Sequence, residues 1–65
     1  MDPQKQFTAE VKAFLKRHKM PPTKFGKLAA ADAMFVSDLE KGRAPGLRVA
    51  ARVRNFMRER EAQLQ

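Results

Sequence analysis

The sequence contains no cysteine, and its single histidine is His18. Without cysteine the chain can form neither a disulfide nor a thiolate metal site. One histidine cannot supply the four ligands that a structural zinc ion typically takes. We therefore expect no metal and no cofactor.

The sequence also lacks a recognisable set of catalytic groups. An enzyme would need paired acid–base residues, or a nucleophile with a base beside it. Asp32 and Asp38 have structural explanations as capping or ion-pairing residues, and no histidine or cysteine stands next to a serine in a suitable arrangement. We therefore expect no enzymatic activity.

Long apolar runs are absent as well. No segment approaches the roughly 20 apolar residues that cross a bilayer. The N-terminus, MDPQKQ, has neither the basic start nor the apolar stretch of a secretory signal. These features predict a cytoplasmic protein, associated with the nucleoid, and no membrane partner.

What the sequence does contain is positive charge. Its 65 residues include 14 Lys and Arg against 7 Asp and Glu, which gives a formal net charge of +7. A single domain of this size has a marginal core and often depends on self-association or binding. The charge favours a polyanionic partner, with nucleic acid as the first candidate and an anionic membrane surface as the second. The membrane surface is the poorer candidate because the apolar helix faces are needed for the core, so no membrane partner is expected.

Hydrophobic periodicity predicts a first helix that starts near Pro3, with Asp2 as its N-cap. Its apolar residues recur at i, i+4, i+7 and i+8 and form one stripe: Phe7, Val11, Phe14 and Leu15. The segment MPP, residues 20–22, ends this helix because a residue before proline leaves the helical region.

Two short helices are expected next. The second begins at Pro22 or Thr23, and the third runs from Ala33 to Lys41 with Asp32 as N-cap and Gly42 after its end. The second helix is expected to bury Phe25, Leu28 and Ala29. The third is expected to bury Phe35, Val36 and Leu39.

A last helix is predicted from Leu47 to about Glu61, with Gly46 as its N-cap. Its apolar face comprises Val49, Ala50, Val53, Phe56 and Met57. No segment alternates with period two, so no strand is expected. The predicted fold is one all-α domain over residues 1–65, a compact bundle of four helices with a longer C-terminal helix.

The alanine run between the second and third helices predicts a helix-turn-helix over residues 22–41. Two helices that cross at a wide angle need small residues where their backbones approach. Small residues occupy this region: Gly26, Ala29, Ala30 and Ala31.

Residues 22–41 resemble the twenty-residue motif of lambda repressor and Cro-type (XRE-type) proteins. That family places a small residue fifth, here Gly26, and a branched apolar residue fifteenth, here Val36. Its ninth residue is usually a glycine with a left-handed backbone, whereas this chain has Ala30, for which that conformation costs ~1–2 kcal/mol. The pattern FG…D..FV..L..GR.P is also similar to short stand-alone regulators of bacteria and phages.

The resemblance implies sequence-specific binding of double-stranded DNA and regulation of transcription, with the third helix in the major groove. The residues it would direct at base edges are Ala33, Met34, Ser37, Asp38 and Lys41. None of them is an Arg, Asn or Gln, the residue types that make bidentate base contacts. Asp38 can instead pair with Lys41 or Arg43, and Met34 can pack rather than read a base.

Phosphate contact is predicted for residues at the start of the second helix, after the third helix and at the start of the last: Thr23, Lys24, Lys27, Arg43 and Arg48. Each of these cations could equally be a solvated surface residue. As a group they favour phosphate contact.

The last helix is longer than one small core needs, which predicts an interface for a homodimer or another protein. The residues expected there are Arg54, Phe56, Met57, Arg58 and Leu64. A solvated face and DNA backbone contact are competing uses of the same arginines. The alternative function is therefore a protein-interaction module that docks on RNA polymerase or another regulator.

Overall fold

A computed structural model describes residues 2–63 of the chain. These residues form four α-helices: α1 (Pro3–His18), α2 (Pro22–Ala30), α3 (Phe35–Glu40) and α4 (Leu47–Ala62). Residues 2–63 contain no strand, so the prediction of an all-helical chain with four helices is confirmed. No helix in this range combines the length and the apolar character required to cross a membrane.

Both ends of α1 are capped, and the N-terminal cap is the one that the sequence predicts. The Asp2 carboxylate accepts a hydrogen bond from the Gln4 amide at 3.0 Å, and Pro3 opens the helix. At the other end Lys19 takes a left-handed conformation with φ 51°, and its amide donates to the Leu15 carbonyl. This residue stops the helix before the two prolines.

The core lies where the inward faces of all four helices meet. Its buried residues are Phe7, Val11, Phe14, Phe25, Ala29, Phe35, Val36, Leu39 and Val53. The ring of Phe14 in α1 lies 5.5 Å from that of Phe25 in α2 and 6.1 Å from that of Phe56 in α4, measured between centroids. Tilted aromatic pairs at such distances add about 0.5–1.5 kcal/mol beyond area burial, so this cluster joins three of the four helices.

One residue that the sequence places in the core is outside it. Leu28 is expected to be buried in α2, but its exposed fraction is 44%. Phe25, Gly26 and Ala29 form the inward stripe of α2, and at 3.6 residues per turn Leu28 falls to one side of it. Leu28 is therefore left on the flank of α2 that faces α4.

Side chains also connect α1 to α4. Arg54 pairs with Glu10 at 2.7 Å, and its guanidinium carbon lies 5.0 Å from the centre of the Phe7 ring. Two turns further along each helix, Arg17 pairs with Glu61. Two of the basic side chains on this side of the molecule are thus neutralised by acidic partners within the fold.

The chain reverses between α2 and α3 in a tight turn. The Gly26 carbonyl accepts from the amides of Ala31 and Asp32, the latter at 3.0 Å. Ala31 is left-handed, with φ 55°. The family pattern places that conformation at Ala30, which is instead the last residue of α2. The turn of this chain thus lies one residue later than in the family pattern, so the left-handed strain falls on Ala31.

Candidate nucleic-acid interface

The start of α3 differs from the prediction. Ala33 and Met34 are expected to be its first residues, but the helix begins at Phe35. Asp32 holds both residues in a turn: its carboxylate accepts from the Met34 amide at 3.0 Å, and its carbonyl accepts from the Phe35 amide at 3.1 Å. The prediction of Asp32 as the N-cap is therefore wrong: its side chain caps the turn, and Met34 is the N-cap of α3.

The residues predicted to contact bases are therefore divided between this turn and α3. Met34 is 54% exposed, whereas Ala33 is half-buried. Ser37 and Asp38 lie half-buried in α3, and Lys41 is exposed directly after it. The solvent-facing chemistry consists of a thioether, a hydroxyl, a carboxylate and an ammonium group.

Asp38 already has a partner. Its carboxylate lies 3.5 Å from the Arg43 guanidinium, and its carbonyl accepts from the Arg43 amide at 3.0 Å. The Arg43 side chain is 77% exposed, so the ion pair contributes little to stability, on the order of 0–1 kcal/mol. Arg43 can consequently exchange this carboxylate for another anion at small cost.

The start of α2 presents polar groups that have no role in the core. Thr23 and Lys24 lie in its first turn, where helices leave amides without intrahelical partners, and both are exposed, as is Lys27. Pro21 caps the helix without a side-chain hydrogen bond. Amides and ammonium groups at a helix start are suited to an anion.

Arg48 lies in the first turn of α4 and is exposed. Within residues 2–63 it has no ionic partner, and neither do Lys24 and Lys27. These three cations thus differ from Arg17 and Arg54, which are paired across α1 and α4, and from Arg43, which is paired with Asp38.

The residues predicted to form an interface on α4 do not share one face. Met57 and Arg58 border a recess on the α1 side, together with Arg54. Phe56 borders a groove on the opposite side, next to α2, and its ring packs 5.6 Å from that of Phe25. Leu64 lies outside the described residues.

Sequence reasoning missed the groove beside α2. Its lining includes Leu28 from α2 and Arg52 from α4, and both are exposed. A signal was available, since Arg48, Arg52, Asn55 and Glu59 recur at i, i+4, i+7 and i+11 and form a polar stripe along α4. The apolar face of α4 is the stronger local signal, and it does not include this stripe.

No protein-family model matches the chain, and no curated protein or solved structure is significantly similar to it. Its function must therefore be inferred from the placement of charge and hydrogen-bonding groups on its surface.

Proposed function

We propose that this protein binds double-stranded DNA sequence-specifically as a transcription regulator of bacterial or phage type. In this proposal α2, the turn and α3 act as a helix-turn-helix within a four-helix bundle, and residues 1–65 form one DNA-binding domain. The close backbone approach at Gly26, with the carbonyl of Asp32 against it, supports this assignment, because a wide crossing of two short helices needs such a contact.

The observation that carries the proposal is the uneven neutralisation of positive charge. Arg17 and Arg54 are held by glutamates where α1 meets α4. Exposed cations at the start of α2 and of α4, by contrast, have no acidic partner within residues 2–63: Lys24, Lys27 and Arg48. A net charge of +7, with these three exposed cations left unpaired at the starts of α2 and α4, favours a polyanion at that surface.

In the proposed complex some side chains contact the DNA backbone and others contact the bases. The cations at the starts of α2 and α4, with Thr23, contact phosphates and fix the register of the protein on the duplex. Ser37 and Lys41 face base edges, and Ala33 and Met34 offer apolar contact to a thymine methyl. Arg43 exchanges the Asp38 carboxylate for a phosphate, and a homodimer would place two such surfaces on a two-fold site.

The proposal includes no catalysis, no metal and no cofactor. The two aspartates nearest the candidate interface are engaged, Asp32 with the Met34 amide and Asp38 with Arg43. The expected place of action is the cytoplasm, on the nucleoid.

A selection from random duplex DNA, repeated against competitor DNA, tests the proposal. Enrichment of one motif is expected. A Lys24→Ala, Lys27→Ala variant should then bind that motif at least tenfold more weakly, because two phosphate contacts are lost. A Lys5→Ala, Lys16→Ala variant, which removes two exposed cations from α1, is the matched control and should bind nearly as well as the wild type.

One feature favours a second function. α3 has only six residues, and its exposed side chains include none of the types that make bidentate base contacts. A protein-interaction module, docking on RNA polymerase or another regulator through the basic α4, would not need such chemistry. If the selection enriches no motif, this second function is favoured and the proposal of sequence-specific binding is contradicted.

A further inference from the structure

A groove of about 530 Å³ runs between α2 and α4, and we call it the α2–α4 groove. Leu28, Ala29, Ala51 and Phe56 supply its apolar surface. Its polar lining consists of Arg48, Arg52, Asn55 and Glu59, all from α4.

The apolar part of the groove is left open in the single chain. Leu28 is 44% exposed, and Ala51 is exposed beside it. Leu47 lies one turn before Ala51 on α4 and is 93% exposed. Exposed apolar side chains with a polar rim are typical of a surface that another molecule covers.

The residues on the α4 side of the groove form complementary pairs when two copies of α4 lie antiparallel. Arg48 and Glu59 lie equally far from the point between Val53 and Arg54, and so do Arg52 and Asn55. Ala51 and Phe56 share the same midpoint. Three pairs centred on one point fit a two-fold axis, at which residue i of one subunit meets residue j of the other and j meets i.

We propose that the α2–α4 groove is occupied by α4 of a second copy of this chain, packed antiparallel across a two-fold axis at the middle of the helix. Arg48 of each copy then pairs with Glu59 of the other, and Arg52 with Asn55. Ala51 lets the backbones approach and receives Phe56, while Leu28 of each copy covers the edge of the contact.

Charge favours this occupant over the others. Within residues 2–63 neither Arg48, Arg52 nor Glu59 has an ionic partner, so all three are available. Arg48 and Glu59 lie 11 residues apart, or about 16 Å along a helix, and cannot pair within one copy. An acidic peptide would match the arginines but meet Glu59, and a DNA phosphate would meet the same carboxylate. A second copy of α4 offers a carboxylate to the arginines and an arginine to Glu59.

The net charge of +7 opposes association of two copies, but this repulsion is screened beyond about 8 Å at physiological ionic strength. The proposed interface differs from the α1-side residues Arg54 and Arg58 that the sequence indicated. It does not depend on DNA binding. Arg48 has five N–H donors and can serve both a carboxylate and a phosphate.

Sedimentation of the full chain without DNA, over a concentration series, tests the proposal. A reversible dimer is expected. Arg48→Glu alone and Glu59→Arg alone should each weaken it about tenfold or more, because each turns two attractive pairs into two repulsive ones. A mixture of the two single variants should dimerise again. In that mixed dimer the two substituted side chains face each other with opposite charges, and the native Arg48 of one chain faces the native Glu59 of the other. The chain that carries both substitutions should also recover.

Arg58→Glu is the matched control, since it changes the net charge as much as Arg48→Glu does and lies outside the groove. It should leave the dimer intact. All variants should melt cooperatively, which separates loss of association from loss of folding. Recovery of the dimer in the mixture of Arg48→Glu and Glu59→Arg chains is the decisive result. Only an antiparallel two-fold contact restores both pairs between residues 48 and 59.

Three outcomes would overturn the proposal. The wild type could remain monomeric up to ~1 mM, a concentration at which even weak dimers form. The dimer could respond equally to Arg48→Glu and Arg58→Glu, which would place the contact elsewhere. The Leu28 and Arg52 amide resonances could shift in a monomer only when duplex DNA or an acidic peptide is added, which would assign the groove to that ligand. None of these readings depends on whether a DNA motif is enriched.

Discussion

The Cα of Gly26 in α2 lies against the backbone carbonyl of Asp32, across the turn that leads to α3. A Cβ built on Gly26 would collide with the Asp32 carbonyl oxygen and lie 3.3 Å from the Ala33 carbonyl carbon. These neighbours are backbone atoms, which cannot swing aside as the end of a long side chain can. The path of the turn therefore depends on the absence of a side chain at this one position.

Gly26→Ala should destabilise the fold by about 1–3 kcal/mol, because the added methyl group forces the turn away from α2. The helical preference of alanine over glycine, ~1 kcal/mol, offsets only part of this cost. Urea unfolding followed by circular dichroism measures the change. Gly46→Ala is the control, since nothing lies within 4 Å of a Cβ there, and its effect should stay below about 1 kcal/mol.

Ala31→Gly should stabilise the protein by about 0.5–1 kcal/mol. Ala31 is left-handed at φ 55°, a conformation that costs an L-residue ~1–2 kcal/mol and that glycine adopts without this cost. Glycine loses more conformational entropy on folding, which offsets part of the gain in stability. Ala30→Gly, one residue earlier, should instead destabilise by about 1 kcal/mol because Ala30 is helical. Thermal unfolding measures the change in Tm of each variant. If Ala31 is the left-handed residue, Ala31→Gly raises Tm and Ala30→Gly lowers it; if Ala30 is, the two changes are exchanged.

Much of the fold could be predicted from the sequence, because the strongest signals are local. Asp2 and Pro3 mark the start of α1, Pro22 opens α2, and Gly46 precedes α4. The apolar stripes include all nine buried core residues, together with six that are only half-buried or exposed: Leu15, Leu28, Val49, Ala50, Phe56 and Met57. Caps and periodicity act within a few residues, so one sequence is enough to detect them.

What could not be predicted depends on competition between neighbouring elements. Asp32 can cap a helix that starts at the next residue or close a turn ahead of a helix that starts later, and local pattern does not distinguish these. Leu28 has the spacing of a core residue, but it lies at the edge of the stripe that Phe25, Gly26 and Ala29 turn inward. Such outcomes are set by packing of α2 against α3 and α4.

The sequence indicates which residue types the candidate site contains, but not which of its cations have acidic partners. The sequence offers Arg43 as a possible partner of Asp38 but indicates no acidic partner for Arg48 or Arg54. In the structure Arg43 faces Asp38 and Arg54 faces Glu10, 44 residues away in sequence, whereas Arg48 has no such partner within residues 2–63. Long-range pairing of this kind decides which cations are available to a polyanion, and no local pattern encodes it.

The contact between Arg54 and Glu10 should be measurable in a double-mutant cycle. Both side chains are partly exposed, 47% and 39%, so the coupling between Arg54→Ala and Glu10→Ala should be only about 0.2–1 kcal/mol and should fall at high salt. Arg54→Ala also removes the guanidinium from the Phe7 ring, which adds a loss that the cycle does not attribute to Glu10. The cycle of Arg58→Ala with Glu10→Ala is the control, and a coupling as large as that of Arg54 would contradict the observed pairing.

The pair of Asp38 and Arg43 yields a prediction about DNA affinity. If Lys24, Lys27, Arg43 and Arg48 each contact a phosphate, the slope of log affinity against log salt should be about −3.6 per subunit, at −0.9 per contact. Asp38→Asn removes the carboxylate that lies 3.5 Å from Arg43, so binding should strengthen severalfold on all sequences alike. Fluorescence anisotropy over a salt series, on the selected motif and on unrelated DNA, measures both quantities.

Arg43→Ala should weaken binding to all sequences and bring the slope closer to zero by about one unit per subunit. Ser37→Ala should change the preferred base with nearly the same slope, because a hydroxyl at a base edge releases no counterions. Combining Asp38→Asn with Arg43→Ala separates two effects of the carboxylate. If Asp38 acts by holding Arg43, its replacement gains nothing once Arg43 is absent. A gain as large as in the wild-type background would mean that the carboxylate repels the duplex directly, which would place α3 close to the DNA whether or not Arg43 contacts it.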